Sequence, residues 1–203
     1  MPYYTVMAIP RPEPVALHDH AMDNLRYIRE TMERAGSFTA VPGIGGMLIG
    51  STALAAAWMA DRKPSSERWL LIWTMEAFLA FIIGLAAVAI KAHKVNIPLL
   101  SGPGRKFIAG FAPSMVAGAI LTVVLFPAGL VAVLPGIWML LYGAGIVSGG
   151  GASVRVVPVM GACFMAAGAA ALLLPGNGNL ILALGFGGLH IIFGTIIAVK
   201  YGG

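Results

Sequence analysis

Charge is what this sequence has least of. Only 10% of its residues are Asp, Glu, Lys or Arg, where a soluble domain carries about 25%. From Phe107 to Val199 the one charged side chain is Arg155. A water-facing surface must be hydrated, so no soluble fold is built from such a stretch. The single cysteine, Cys163, lies in an apolar run and allows no internal disulfide. Gly-x-Ser-x-Gly, His-Glu-x-x-His and Cys-x-x-Cys are all missing, and with them the common signatures of soluble catalysis and metal binding. These absences exclude a soluble enzyme, a disordered chain and a secreted disulfide scaffold. No cofactor or metal is expected.

Apolar side chains fill the space that charge leaves: 59% of residues are hydrophobic and mean hydropathy is +0.88. A bilayer core of ~30 Å takes roughly 20 apolar residues per helix. Six windows meet that length: about 43–60, 69–90, 107–126, 129–149, 156–174 and 179–200. Asp61–Arg68 separates the first two, and Lys91–Lys106 the second from the third. The later breaks use Gly, Pro and Asn: Pro127-Ala128-Gly129, Gly149-Gly150-Gly151 and Pro175-Gly176-Asn177-Gly178-Asn179. Pro113 and Pro135 fall inside windows, so they kink their helices or those helices begin later. The expected fold is an all-α polytopic transmembrane helix bundle, six spans as three helical hairpins, occupying 43–203.

The start of the chain differs. Residues 1–17 hold four prolines and no periodicity and read as a flexible tail. Residues 18–42 read as an amphipathic helix and linker, with Met22, Leu25, Ile28 and Met32 at helical spacing. Asp19 is the candidate N-cap and Gly36 the stop. This helix lies in the membrane interface or packs on the protein's own loops.

The formal net charge of +5 does not point to nucleic acid, because the basic residues flank apolar spans as membrane anchors do. With six spans, ten Lys and Arg share the side holding both termini, among them Lys91, Arg105, Lys106, Arg155 and Lys200. Only Arg62, Lys63 and Arg68 take the other side. The positive-inside rule then puts both termini in the cytoplasm. Ser101-Gly102-Pro103-Gly104-Arg105-Lys106 lacks phosphate-loop spacing and reads as a turn. Arg105, Lys106 and Arg155 become headgroup anchors, the last by snorkelling.

The hairpins also read as copies of one unit, with chance as the competing account. Met-x-x-Gly opens at Met47, Met115 and Met165, once per odd span. A small residue stands seven before a glycine in each even span: Ala77 to Gly84, Gly136 to Gly143, Gly187 to Gly194. Small residues let helices approach closely where lipid gives no hydrophobic drive.

Polar groups inside the spans are few. Glu76 is the only acid well within one, and His190 the only histidine. A carboxylate at that depth must pair, reach water or hold a proton. The repeat sets His190 opposite Ala80, one turn from Glu76, so the two are candidates for a coupled pair that relays protons or holds a cation. Alternatively each bonds locally, with Thr74, Tyr142, Ser148 or a backbone carbonyl. His18-Asp19-His20 offers metal-ligand types, but on a tail that gives them no fixed geometry.

Asn24–Gly43, Pro98–Phe107, Leu140–Gly143 and Gly185–His190 resemble segments of a group of uncharacterised bacterial integral membrane proteins with six helices. The likeness covers about 18–203 and implies residence in a bacterial cytoplasmic (inner) membrane. It carries over no catalytic or binding residue. More distantly, the three Gly-rich hairpins are similar in architecture to the HdeD-type acid-resistance membrane proteins. Three functions remain. The first is a non-enzymatic protein working through a membrane-protein partner or a second copy, as accessory subunit or membrane-state sensor. The others are a small transporter or proton/cation pathway using Glu76 and His190, and an intramembrane enzyme. The scarcity of polar groups favours the first, because a solute path needs several that converge.

Overall fold

The structure, a computed structural model, describes residues 21–28, 32, 41–62, 65–94, 102–151, 153–174 and 176–201. The expected tail, the Asp19 cap, the His18-Asp19-His20 cluster, the Gly36 stop and residues 95–101 lie outside them. The chain divides into two compact units, Met1–Ala35 and Gly36–Gly203. In the first, residues 21–28 are helical, as the spacing predicts, and every one is exposed.

The second unit is an all-α bundle of six helices long and apolar enough to cross a membrane. They are α1 (Gly43–Asp61), α2 (Ser66–Lys94), α3 (Gly102–Leu125), α4 (Leu134–Gly150), α5 (Val156–Leu173) and α6 (Gly178–Tyr201). A 3-10 turn at Val131–Val133 leads into α4, and α6 is interrupted by a π-helical turn at Ala183–Leu189.

Two boundaries differ from expectation for reasons that lie in proline. The Ser101–Lys106 turn is largely helix: α3 begins at Gly102, and Pro103 occupies its first turn, where a missing N–H breaks no helical bond. Pro113 is therefore internal to α3. Pro135 instead marks a later start, since it sits in the first turn of α4. Gly129, at φ 78°, makes the turn before it, a backbone conformation that costs a side-chain-bearing residue.

The two spans of one hairpin do not supply the tightest packing. That comes from α1 against α6 and from α4 against α5, which join different hairpins, in two antiparallel seams lined by glycine. A Cβ on Gly194 would stand 2.8 Å from both Gly43 O and Met47 N. A Cβ on Gly143 would stand 2.5 Å from Gly161 O and 2.7 Å from Met165 N. These are the same contacts under the repeat, which equates Gly194 with Gly143, Gly43 with Gly161 and Met47 with Met165. Gly50 against Gly187 O (2.6 Å) likewise matches Gly168 against Gly136 O (2.8 Å).

The third copy of this seam would join α2 to α3 and is not built the same way. Phe111 stands where Gly43 and Gly161 stand. Gly84 instead meets Ile49 of α1, and Gly118 meets Leu141 of α4, each at 3.6 Å. Accordingly α2 and α3 are the least buried helices. They display Leu71, Phe78, Phe81 and Ile82, and Val116, Ile120, Val123 and Val124. Long apolar faces of this kind belong against acyl chains.

Alternate crossing brings like ends together. Val41, Phe107, Val154, Val157 and Ile197 pack around Ile146 at one end. There the buried Lys91 donates to Val41 O (2.9 Å) and Tyr201 O (3.1 Å). It pins the start of α1 and caps the negative C-terminal end of α6. At the other end Asn177 caps α6, its Oδ1 accepting from Asn179 N and Leu180 N. Asn179 then ties three helices, accepting from Trp73 Nε1 (3.1 Å) and donating Nδ2 to Ala57 O (2.7 Å).

Candidate functional site

The polar side chains read from the sequence fall into two centres. The first lies between α1 and α2. Trp69, Trp73, Glu76, Ala80 and Gly84 recur at helical spacing on the more buried face of α2, while Leu71, Met75, Phe78 and Ile82 are exposed. Glu76, only 8% exposed, comes within 2.8 Å of Thr52 Oγ1 on α1. The same hydroxyl lies 2.9 Å from Ile49 O and 3.3 Å from Leu48 O in its own helix.

The second centre lies where α4, α5 and α6 meet. Tyr142 OH and His190 Nε2 are 2.7 Å apart, and His190 Nδ1 is 2.9 Å from Phe186 O. A carbonyl only accepts, so Nδ1 carries hydrogen, and in the neutral ring Nε2 receives the Tyr142 hydroxyl. Phe164 and Phe186 enclose the pair, with ring centroids 5.2 and 6.1 Å from the imidazole. Phe111 of α3 meets Tyr142 edge-on.

His190 is held at the end of the π-helical turn. In a regular α-helix Phe186 O accepts the His190 backbone N–H. Here that N–H turns to Gly187 O, and the ring Nδ1–H takes Phe186 O instead. Gly185 and Gly187 of this turn are buried against Met139 and Leu54, which leave no room for a Cβ. Departures from α geometry of this kind are frequent at functional sites.

Of the expected site residues, the structure joins His190 to Tyr142 and leaves Thr74 aside. Thr74 is exposed on α2, two residues and so about 200° around the helix from Glu76. Nor do Glu76 and His190 bond to each other. Glu76 faces Thr52 on α1, whereas His190 faces Tyr142 on α4 and the ring of Phe164 on α5. Their depths do agree with the repeat: the position of Gly46 faces His190 O and that of Gly50 faces Gly187 O. His190 therefore lies about one turn, or ~6 Å, nearer the Lys91 end than Thr52. Arg105 and Lys106, near the start of α3, and Arg155, just before α5, are all exposed.

Thr52, Asn179 and Lys91 were not anticipated in these roles. Thr52 could have been found by asking which hydroxyl shares the depth of Glu76. For Lys91, whose Nζ reaches two different helix ends, the sequence carries no such signal. Among the described residues no three His, Cys, Asp or Glu side chains come together as metal ligands. No family model, curated protein or solved structure matches the chain.

Proposed function

We propose that this chain is a non-enzymatic multi-pass protein of a bacterial inner membrane that acts through contacts at its surface. It serves as an accessory subunit or as a sensor of membrane state. One observation carries the reading: Met22, Leu25, Ile28 and Met32, one stripe of the N-terminal helix, are between 52% and 69% exposed. An apolar stripe of that kind is stable when lipid or a partner covers it. Inside the bundle, by contrast, Glu76, Tyr142, His190, Trp73 and Asn179 already have partners. A transporter or proton/cation pathway along Glu76 and His190 draws less support, because different neighbours hold the two.

An environment-sensitive probe at Leu25→Cys or Ile28→Cys, in a Cys163→Ala background, tests the stripe. In native membranes it is shielded from aqueous quencher, while a probe at Arg26→Cys on the polar side is not. Shielding that persists in protein-free lipid vesicles identifies the bilayer as the covering surface. Shielding only in native membranes identifies a protein. Equal quenching at both faces overturns the reading.

Orientation follows from charge. Arg105 and Lys106 crowd a helix N-terminus, where the dipole disfavours cations, which supports phosphate headgroups as their partners. Reporters fused after Lys106 and at Gly203 are expected to signal cytoplasm, and one within Asp61–Arg68 the opposite side. Opposite signals from the first two fusions overturn a cytoplasmic location for both termini.

A further inference from the structure

We propose that Glu76 is a proton-binding site, held as the neutral carboxylic acid at neutral pH and poised between α1 and α2. The inference goes beyond surface contact and does not depend on it. It begins with a count of hydrogens. Thr52 Oγ1 has one to give, yet it makes two short contacts, 2.8 Å to Glu76 Oε1 and 2.9 Å to Ile49 O. An ionised Glu76 can only accept, so it takes that hydrogen and the Ile49 contact is no bond. A protonated Glu76 donates to Thr52, which donates in turn to Ile49 O. Both contacts then become hydrogen bonds in one directed chain.

The surroundings favour the same state. No lysine, arginine or histidine bonds to Glu76 among the described residues, and Thr52 is its partner. The neighbouring helices bring few titratable groups. From α1 comes Asp61 at the far end. From α6 come His190, held by Tyr142 and Phe186 O, and Lys200 and Tyr201 at its last turn. Trp73, one turn away on α2, gives its N–H to Asn179. An ionised carboxyl here would have one hydroxyl in place of water or a cation, which is costly within a span. Losing the proton would also break the chain to Ile49 and set a charge at the α1–α2 contact.

A membrane-soluble carbodiimide reads this state. The carboxyl O–H adds across the reagent's C=N bond, oxygen to the central carbon and hydrogen to one nitrogen. The acyl group then shifts to nitrogen as a stable N-acylurea, with no redox change. With full-length protein in lipid vesicles at neutral pH, dicyclohexylcarbodiimide should leave an adduct that peptide mass mapping places on Glu76. Glu67, exposed in the first turn of α2, is the water-facing control and should stay unmodified. Glu76→Gln should remove the adduct yet unfold at nearly the wild-type temperature, because its amide donates to Thr52 as the acid does. An unmodified Glu76 in folded protein overturns the proposal. So does a Glu76→Gln variant that is strongly destabilised, since that bundle would need the charge.

Discussion

Gly143→Val should lower the unfolding temperature of the bundle by ~6–12 °C, and Gly194→Val by a similar amount. The added side chain meets backbone in both cases, Gly161 O and Met165 N in one, Gly43 O and Met47 N in the other. Backbone cannot rotate aside, so the whole seam must part. Overpacking of this kind costs about 3 kcal/mol, which in a chain of this size is the stated shift. Gly188→Ala is the control, because nothing lies within 4 Å of its added Cβ. Cys163, half-buried against the main core, reports unfolding when a thiol-reactive dye reaches it on heating. Unequal losses at Gly143 and Gly194 would show that the matched geometry hides unmatched energetics.

The Tyr142–His190 bond should account for the second large effect. Tyr142→Phe keeps the ring against Phe111, Phe164 and Phe186 but leaves Nε2 without a donor. Interhelical hydrogen bonds in membranes are worth about 1–2 kcal/mol at most, and that is the expected loss. His190→Ala should cost about 3 kcal/mol, since it also opens a hole beside Phe164, which has no exposed surface. With His190→Phe in place, Tyr142→Phe should become nearly neutral, because neither partner then requires the other. If Tyr142→Phe is neutral in the wild-type background, the 2.7 Å contact contributes packing and no hydrogen bond.

The six spans were legible because hydrophobic length and Gly/Pro/Asn punctuation report on backbone, and backbone obeys local rules. The Pro113 and Pro135 ambiguity resolved two ways because proline is tolerated both in a first turn and, in a membrane helix, inside it. Partner choice was not legible. In a soluble helix the apolar stripe marks the buried face, whereas around α4 or α5 nearly every face is apolar, and lipid and core look alike. Glycine spacing marked faces of close approach without saying which helix meets which; the matched contacts of α1–α6 and α4–α5 come from the structure. At α2–α3 Phe111 stands in place of the glycine, and its ring joins Tyr142 in the aromatic cluster. The polar centres were legible by residue type, Glu76 and His190, but their partners depend on helix rotation. Tyr142 was among the expected partners and depth would have offered Thr52, but the rotation that turns each polar group toward its partner, and Thr74 away, is set by packing.

The seam between α1 and α6 also sets a schedule for biogenesis. α1 packs chiefly against α6 and must wait for it, since 116 residues lie between the end of the one and the start of the other. At ordinary elongation rates that wait is on the order of ten seconds. Throughout it α1, the least apolar of the six spans, holds Gly43, Gly46 and Gly50 without the backbone they are shaped to meet. Lys91 arrives early in that wait and can hold Val41, but its second acceptor, Tyr201, comes only with the end of α6. Completion of the bundle therefore waits on α6, and a chain cut short before α6 leaves α1 still seeking a mate.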